Sequence, residues 1–468
     1  MRPDLRRSRR GLKKGGVSVR DKQGWVTLAL ALGLLVGGPA LGADDAPKDP
    51  ALTALVQALH ERGVIDEQQY TEISAKAAAK QAEQAPGWWE KISVWGDFRA
   101  RYEGFWYQRD PDGMREDSQQ RGRYRLRVGM RADVNEYIAA IMQLATGAGD
   151  NRSANQTFGG NLDWGKDLIE VDLAYVQLTP FPEEGQLPLD GTFVVDAGRV
   201  PNPFLWKNGR DVMLWDNDIN LEGADMRFTA HPADPIELFA NTGYFIDDEN
   251  SGSKDPGLFA AQLGANARAT DTLTFGGRVS FFQFVSLDEA FVERAASSTN
   301  GPSVTTGGGN ILDGLTGDAN GGTMGILATA FYLRSSYFEV LPITLYGSFS
   351  SNLSAEASVL FPGAGKENEA WMVGLELGDK KKYVQFGAGY SYLEANAFPS
   401  MFVESDFYDG QTNRKGWLVY GSREVFHNTD LILTAFLNKA IDNALPAYED
   451  SVPGAHRLRL QADLLVKF

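Results

Sequence analysis

The sequence predicts an all-β transmembrane fold, an antiparallel barrel of about sixteen strands preceded by a short helical segment. The first observation is the segment 121–134, RGRYRLRVGMRADV, in which apolar side chains alternate strictly with arginine, glycine or aspartate. Successive side chains of a strand point to opposite faces, so one face suits hydrocarbon and the other suits water. The second observation is the segment 456–468, which repeats the alternation and ends on Phe468. A soluble sandwich could bury the same apolar face, so further observations are needed to choose between the two folds.

An export leader is the third observation. Residues 1–22 carry nine Lys or Arg and two acids, and residues 25–36 form an uncharged, mostly apolar core that is too short to span a bilayer. Ala40 and Gly42 place small residues at the two key positions before a cut, so cleavage is expected after Gly42, with Ala43 as the competing position. We therefore expect residues 1–42 to be a cleaved signal peptide and the mature chain to be exported.

The composition of the mature chain limits its partners. The leader holds nine of the 45 bases and two of the 61 acids, which leaves 36 bases, 59 acids and a net charge of −23. Nucleic acid is a poor partner for so acidic a chain. There is no cysteine, which excludes disulfides, thiolate metal sites and cysteine nucleophiles. No apolar run after the leader reaches the length of a transmembrane helix, so we expect strands to hold the chain in a membrane.

Residues 43–87 are predicted to form a periplasmic helical segment. Asp49 followed by Pro50 is typical of a helix start, and Asp66 can cap a second helix that Pro86 ends. One interpretation is a helical linker or hairpin. The other is a coiled coil that oligomerises the protein or ties it to the envelope, for which the chain offers few heptads.

Residues 88–468 form the predicted barrel domain. Its strands are expected at 92–104, 121–134, 137–147, 167–179, 192–200, 221–230, 236–246, 257–269, 272–285, 324–339, 342–353, 367–378, 382–396, 415–427, 429–441 and 456–468. An even count lets the last strand pair with the first. Long connections alternate with short ones, as external loops and periplasmic turns do in outer-membrane barrels, and residues 180–191 are the one exception.

Several segments together carry a family resemblance. They are the helical ALVQALHERGVIDEQQY, the first strand WWEKISVWGDFRARYEGF, the second strand RGRYRLRVGMRA and the stretch from GRVPNPF to LWDNDINLEGADMRF. In this order, over essentially the whole mature chain, they resemble the bacterial putative-porin family of outer-membrane channels. The terminal aromatic residue likewise resembles the C-terminal signature of outer-membrane barrels.

The resemblance implies a channel in the cell outer membrane, without naming its solute. Implied partners are outer-membrane lipid and lipopolysaccharide, the barrel-assembly machinery and small hydrophilic solutes. Similarity to other sixteen-strand porins implies a homotrimer.

The third external loop is the predicted constriction. In the general porins that this chain resembles, the third loop folds inward. Here the loop begins at residues 201–204, and its charges are Lys207, Arg210, Asp211, Asp216 and Asp218. Its aromatic residues could pack it against the inner wall, or they could merely cover the mouth of the barrel.

A row of arginines is predicted to face this loop. Alternation places Arg99 and Arg101 of the first strand, and Arg123, Arg125, Arg127 and Arg131 of the second, on the lumen side. A basic wall opposite acidic loop residues would create a transverse field that favours small polar or charged solutes. The alternative is that Glu170 and Asp172 on the fourth strand neutralise these arginines.

The function that follows is a porin, a water-filled channel for passive diffusion of small hydrophilic solutes and ions. Its rivals are a substrate-specific channel for an anionic solute and a structural barrel that ties the membrane to the wall. An enzyme is not expected, because only His456 of the four histidines is predicted near the outer rim and it has no partner motif. No cofactor or metal site is predicted, since the loop 286–323 lacks the spacing of an EF-hand.

Overall fold

A computed structural model describes residues 57–62, 64–83, 88–108, 119–147, 151–160, 165–206, 214–252, 254–287, 309–311, 322–359, 361–408, 410–442, 445 and 456–468. The predicted signal peptide, residues 1–42, lies outside them. The chain divides into two compact units, Met1–Gly87 and Trp88–Phe468.

The first unit is helical where it is described. Residues 57–61 are helical, and helix α1 spans Glu67–Glu83. Asp66 caps α1 as the sequence predicts: its Oδ1 accepts the Gln69 amide at 2.8 Å, and the Gln69 side chain accepts the Asp66 amide at 3.1 Å. An ion pair at 2.6 Å between Glu72 and Lys76 lies one turn further on. Within the described part of the chain, no helix is both long and apolar enough to cross a membrane.

The second unit is a closed antiparallel barrel. Its strands are β1 Ile92–Gln108, β2 Gln119–Asp133, β3 Ile138–Thr146, β4 Gln156–Thr157, β5 Ile169–Leu178, β6 Thr192–Pro201, β7 Asn220–Ala233, β8 Ile236–Ile246, β9 Gly257–Thr270, β10 Leu273–Val285, β11 Met324–Ser335, β12 Ile343–Asn352, β13 Glu369–Gly378, β14 Gln385–Leu393, β15 Arg414–Phe426, β16 Thr429–Ala440 and β17 His456–Lys467. Strand β1 pairs with both β2 and β17, which closes the ring. The two-residue β4 pairs only with β2, beyond the end of β3, so the ring has sixteen strand positions, as predicted.

Side chains alternate between the two faces of the barrel wall. Along β2, Val128 and Met130 are more than one-third exposed on the outer face, whereas Arg125 is buried on the inner face. Strand β1 repeats this order, with Phe98 and Tyr102 outside. An apolar outer band around a charged lumen is the pattern of a barrel that resides in lipid.

Strand ends differ from prediction at several positions. Strand β11 ends at Ser335 rather than at 339, because the chain turns beyond it: the Leu341 amide donates to the Phe338 carbonyl at 2.9 Å. Tyr337 and Phe338 extend the apolar pattern, but they lie exposed in the turn with their rings 5.2 Å apart. Aromatic side chains at a membrane interface are apolar without belonging to a strand.

Two external loops fold into the barrel. Loop L3 denotes residues 202–219, described at 202–206 and 214–219, and loop L7 denotes residues 394–413, described except for residue 409. Loop L7 contains a 3-10 turn, Ser400–Phe402, and helix α2, Ser405–Tyr408. Trp215 of L3 is 1% exposed and lies 5.6 Å from Phe282 of β10, ring centre to ring centre. The aromatic residues of L3 therefore contact the inner wall.

Candidate functional site: the arginine wall and the loops that contact it

Arginines of β1, β2 and β17 line one side of the lumen. We call seven of those that the structure describes the arginine wall: Arg99, Arg101, Arg121, Arg123, Arg125, Arg127 and Arg459. They share a face because they occupy alternate positions of three neighbouring strands. Arg99 is the cross-strand partner of Arg125, and Arg101 that of Arg123. Like charges directly opposite each other repel, so the wall requires nearby anions.

The periplasmic end of the wall is held by two aspartates. Asp97 of β1 lies 2.9 Å from Arg125 and 2.8 Å from Arg127. Asp218 of loop L3 approaches the same two arginines, at 3.3 and 3.7 Å. Loop L3 thus contributes a carboxylate to the arginine wall.

Loop L7 contributes the second carboxylate. Asp406 of α2 lies 2.9 Å from Arg101 and 2.7 Å from Arg459. Arg101 also holds Asp463 through two hydrogen bonds of 2.6 and 2.8 Å. Arg459 donates further to the backbone carbonyls of Ser405 and Asp406, at 2.9 and 3.0 Å. These bonds fix α2 against the wall.

Two members of the wall are less neutralised. Among the described residues, Arg99 forms no ion pair and donates to the Asn155 side chain at 2.6 Å. Arg123 lies 3.8 Å from Glu103, which also accepts from Arg121 and Arg459. In the part of the chain that the structure describes, the seven arginines of the wall have five carboxylates as ion-pair partners: Asp97, Glu103, Asp218, Asp406 and Asp463. Among these twelve residues the arginines outnumber the carboxylates.

A pair of buried carboxyl groups joins loops L3 and L7. Asp216 is 3% exposed and accepts the amides of Ser405 at 2.8 Å and Asp218 at 2.9 Å. Glu404 accepts from the Asn217 side chain and from the Asp406 amide, both at 3.1 Å. Each loop therefore donates a hydrogen bond to a buried carboxyl group of the other loop.

The charge states of these loop acids differ. Burial, with the charge of Asp218, raises the pKa of Asp216 to about 7. Burial and the neighbouring Asp216 raise the pKa of Glu404 well above its usual range. Burial would also raise the pKa of Asp406, but Arg459 and Arg101 hold it far below its usual range. Asp406 is therefore charged near neutral pH, whereas burial favours the protonated forms of Asp216 and Glu404.

The structure separates some residues that the sequence grouped together. Arg131 lies apart from the wall, where it bonds Asp133 and Gln177, each at 2.8 Å. Asp216 contacts loop L7 instead of the arginines. Lys207, Arg210 and Asp211 lie outside the described residues.

The alternative, that acids of β5 neutralise the arginines, has no ion pair of Asp172 to support it among the described residues. The carboxylate oxygens of Asp172 accept from Gln143 and Asn220, both at 2.6 Å. The ion-pair partners of the wall come from β1, β17 and the two loops, because the inward loops bring carboxylates closer than the neighbouring strand does.

Two elements of the candidate site, Arg459 and loop L7, were not predicted from the sequence. Arg459 follows from the alternation of β17, which places it on the face opposite to the exposed Leu460. Loop L7 had a weaker signal, the apolar residues Phe398, Met401, Phe402 and Phe407 in a connection between two predicted strands. All four are buried.

Comparison with known proteins agrees with this architecture. A family model described as "Putative porin" matches residues 110–307 and 326–448. Strong structural similarity links the barrel to OprB of Pseudomonas putida at high pH, with 9% identity, a TM-score of 0.50, and coverage of 81% of this chain and 94% of that chain. Salmonella typhi OmpF in complex with daunomycin is also similar, with 10% identity, a TM-score of 0.44, and coverage of 81% of this chain and 97% of that chain. No curated protein matches the chain.

At such identities the solved structures show the fold alone. The family model covers well over half of the sequence, including β2 and loops L3 and L7. The chain therefore belongs to the family described as "Putative porin", whose members form β-barrel channels.

Proposed function

We propose that this porin is a water-filled channel for passive diffusion of small hydrophilic solutes and ions, and that the arginine wall and loops L3 and L7 set its charge selectivity. The observation that carries the proposal is the contact of both loops with the wall, through Asp218 and Asp406. These contacts bring both loops into the lumen beside the arginine wall, where we infer that they narrow it. A narrow charged zone is what gives a wide barrel its selectivity.

The wall favours anions modestly. Five carboxylates offset seven arginines, and Arg99 and Arg123 carry the excess. A small anion gains attraction from such a surface, whereas a cation is repelled. The paired charges also orient water, so an apolar solute would have to disrupt ordered water in order to pass.

The cellular setting is part of the same proposal. Residues 1–42 direct export and are removed, and the barrel resides in the outer membrane of a Gram-negative bacterium. Its exposed apolar band contacts lipid and lipopolysaccharide after insertion by the barrel-assembly machinery. Three copies assemble into a homotrimer, for which chemical cross-linking in native membranes is the test.

Single-channel recording tests the channel. The mature chain is refolded and inserted into a planar bilayer, and the reversal potential is measured across a potassium chloride gradient. We expect discrete ohmic steps and a reversal potential that is shifted from zero toward the equilibrium potential of chloride. Correctly folded protein that gives no steps would contradict an open porin and favour a structural barrel. Flux that saturates with one anion would instead favour the substrate-specific channel.

A further inference from the structure

A cavity of about 260 Å³ lies beneath loop L7, on its periplasmic side. Its outer end is formed by loop residues and α2, and its inner end by Lys380 and Gln385 at the turn between β13 and β14. The lining residues that matter here are Asn217, Phe407, Leu418, Thr434, Phe436 and Gln461. We call this cavity the L7 pocket.

The charged groups of the L7 pocket are already paired, except for Glu404, whose burial favours the neutral form and which accepts a hydrogen bond from Asn217. Arg101 holds Asp463 and Asp406 at 2.6 and 2.9 Å. Lys380 holds Asp430 at 2.8 Å. A charged ligand would have to break one of these pairs, and leaving a buried partner unpaired is costly. The lining therefore favours an uncharged ligand.

Neutral oxygen atoms remain available in the pocket. Gln461 donates its amide nitrogen to Glu103 at 3.0 Å, and Asn217 donates its own to Glu404 at 3.1 Å. Among the described residues, their amide oxygens and the Thr434 hydroxyl have no hydrogen-bond partner. These atoms accept hydrogen bonds, so a ligand with several hydroxyl donors would satisfy them.

Apolar surface completes the pocket. The rings of Phe407 and Phe436 lie 5.8 Å apart, next to Leu418. A pocket with a few placed polar atoms on an apolar lining suits a ligand that has both C–H and O–H faces. An acyclic or cyclic polyol has this combination, because each of its carbons carries both a hydrogen and a hydroxyl.

We propose that the L7 pocket binds an uncharged polyhydroxylated solute, of the size of a six-carbon polyol or monosaccharide. The inference rests on the proposed function, since the pocket then lies on the diffusion path, directly below the narrow zone. The channel would hold such solutes briefly as they pass, in addition to conducting ions.

The test uses three probes that share a six-carbon polyol chain and differ in charge: sorbitol, gluconate and glucamine. Saturation-transfer difference NMR is recorded on the folded mature protein in detergent. Sorbitol is expected to receive saturation with a concentration dependence that levels off, and the two charged probes far less. Equal transfer to all three probes would overturn the proposal.

Variants locate the binding. Thr434→Val keeps the side-chain shape and removes the hydroxyl, and is expected to weaken sorbitol binding about five-fold. Thr434→Phe fills the pocket and is expected to abolish binding. The matched control is Thr274→Val, at a lumen-facing position of β10 that does not line the pocket. Folding of each variant is checked by its heat-dependent electrophoretic mobility, and unchanged binding in both Thr434 variants would overturn the proposal.

Bilayer recording separates the two proposals. Conductance steps without sorbitol binding would reject the pocket and leave the porin. Sorbitol binding without steps would support the pocket and reject the open channel.

Discussion

Loops L3 and L7 meet the barrel wall in two different ways. On the β10 side, Trp215 packs against Phe282 and Phe398, with ring centres 5.6 and 5.2 Å apart. On the β1 side, Asp218 and Asp406 form ion pairs with arginines. Apolar burial depends little on salt or pH, whereas ion pairs depend on both. The two loops therefore have an apolar anchor on the β10 side, whereas their ion pairs on the β1 side respond to salt and pH.

The largest effect is expected from removing the anchor. Trp215→Ala empties a site that is fully buried, which costs about 3–5 kcal/mol in packing. We expect loop L3 to leave the wall, with a larger single-channel conductance and faster proteolysis within the loop. Trp417→Ala is the control, because Trp417 is half exposed on the outer face. Equal conductance in the two variants would show that the anchor does not hold the loop.

The ion-pair contact of loop L7 on the β1 side is tested by the substitution Asp406→Asn. The change leaves Arg101 and Arg459 without the carboxylate between them, which costs about 2–3 kcal/mol because Asp406 is largely enclosed. The reversal potential should move further toward that of chloride. Asp133→Asn, at the exposed partner of Arg131, should leave it almost unchanged. An unmoved reversal potential in Asp406→Asn would mean that the wall does not control permeation.

The pH dependence sharpens the comparison, because the carboxyl groups between the loops have opposite shifts. Asp216 has a raised pKa of about 7, so its buried, protonated form stabilises the docked loops below that pH and the contribution is lost as pH rises. Asp406 has a lowered pKa, so its contribution is present above the usual aspartate range and is lost only in strong acid. Between these limits the loops are docked most firmly.

Docking should weaken by up to about 1.4 kcal/mol per pH unit as pH rises from the usual aspartate pKa to about 7, because only the docked carboxyl keeps its proton in that range, and it should level off at higher pH. The measurement is single-channel noise and conductance from pH 4 to pH 9. More frequent fluctuations are expected at pH 7 and above than at pH 4 in the wild type, and not in Asp216→Asn. Fluctuations that persist in this variant would assign them to another group.

The smallest effect is expected at Arg99. Arg99→Gln removes a charge that has no carboxylate partner in the described chain, so chloride preference should fall. One unit charge acts on a passing ion with about 1 kcal/mol at contact in water, roughly a five-fold change in relative permeability. Arg131→Gln is the matched control, since Arg131 is offset by Asp133. Reversal potentials at low salt compare the two variants, and equal shifts would contradict a special role of Arg99.

The sequence predicted the barrel because its signal is local. Strand alternation is written in adjacent residues, so Arg125 and Val128 could be assigned to opposite faces without knowledge of the rest of the chain. The approach of L3 to the wall was expected from family resemblance and from its aromatic residues.

The carboxylate partners of the arginines could not be predicted from local sequence patterns. Asp406 is 305 residues from Arg101, and nothing in the residues around it indicates that α2 reaches β1. Asp172 was an alternative partner for the arginines, but its carboxylate binds Asn220, whereas Asp218 of the inward loop L3 lies next to the arginines. Strand alternation predicts on which face of the barrel wall a side chain lies. The folding of the loops determines which residues it contacts there.

The closure of the ring has a consequence for biogenesis. The backbone of Phe468 exchanges two hydrogen bonds with Gly96 of β1, at 2.8 and 3.0 Å. A side chain at Gly96 would collide with the phenyl ring, since its Cβ would lie 2.5 Å from Phe468 Cζ. Strand β1 is translated before all other strands of the barrel, and β17 after them. Until β17 pairs with it, β1 has an unsatisfied edge, which is prone to misassociate. That edge must therefore be shielded until the ring closes, and a chain truncated before β17 keeps it open.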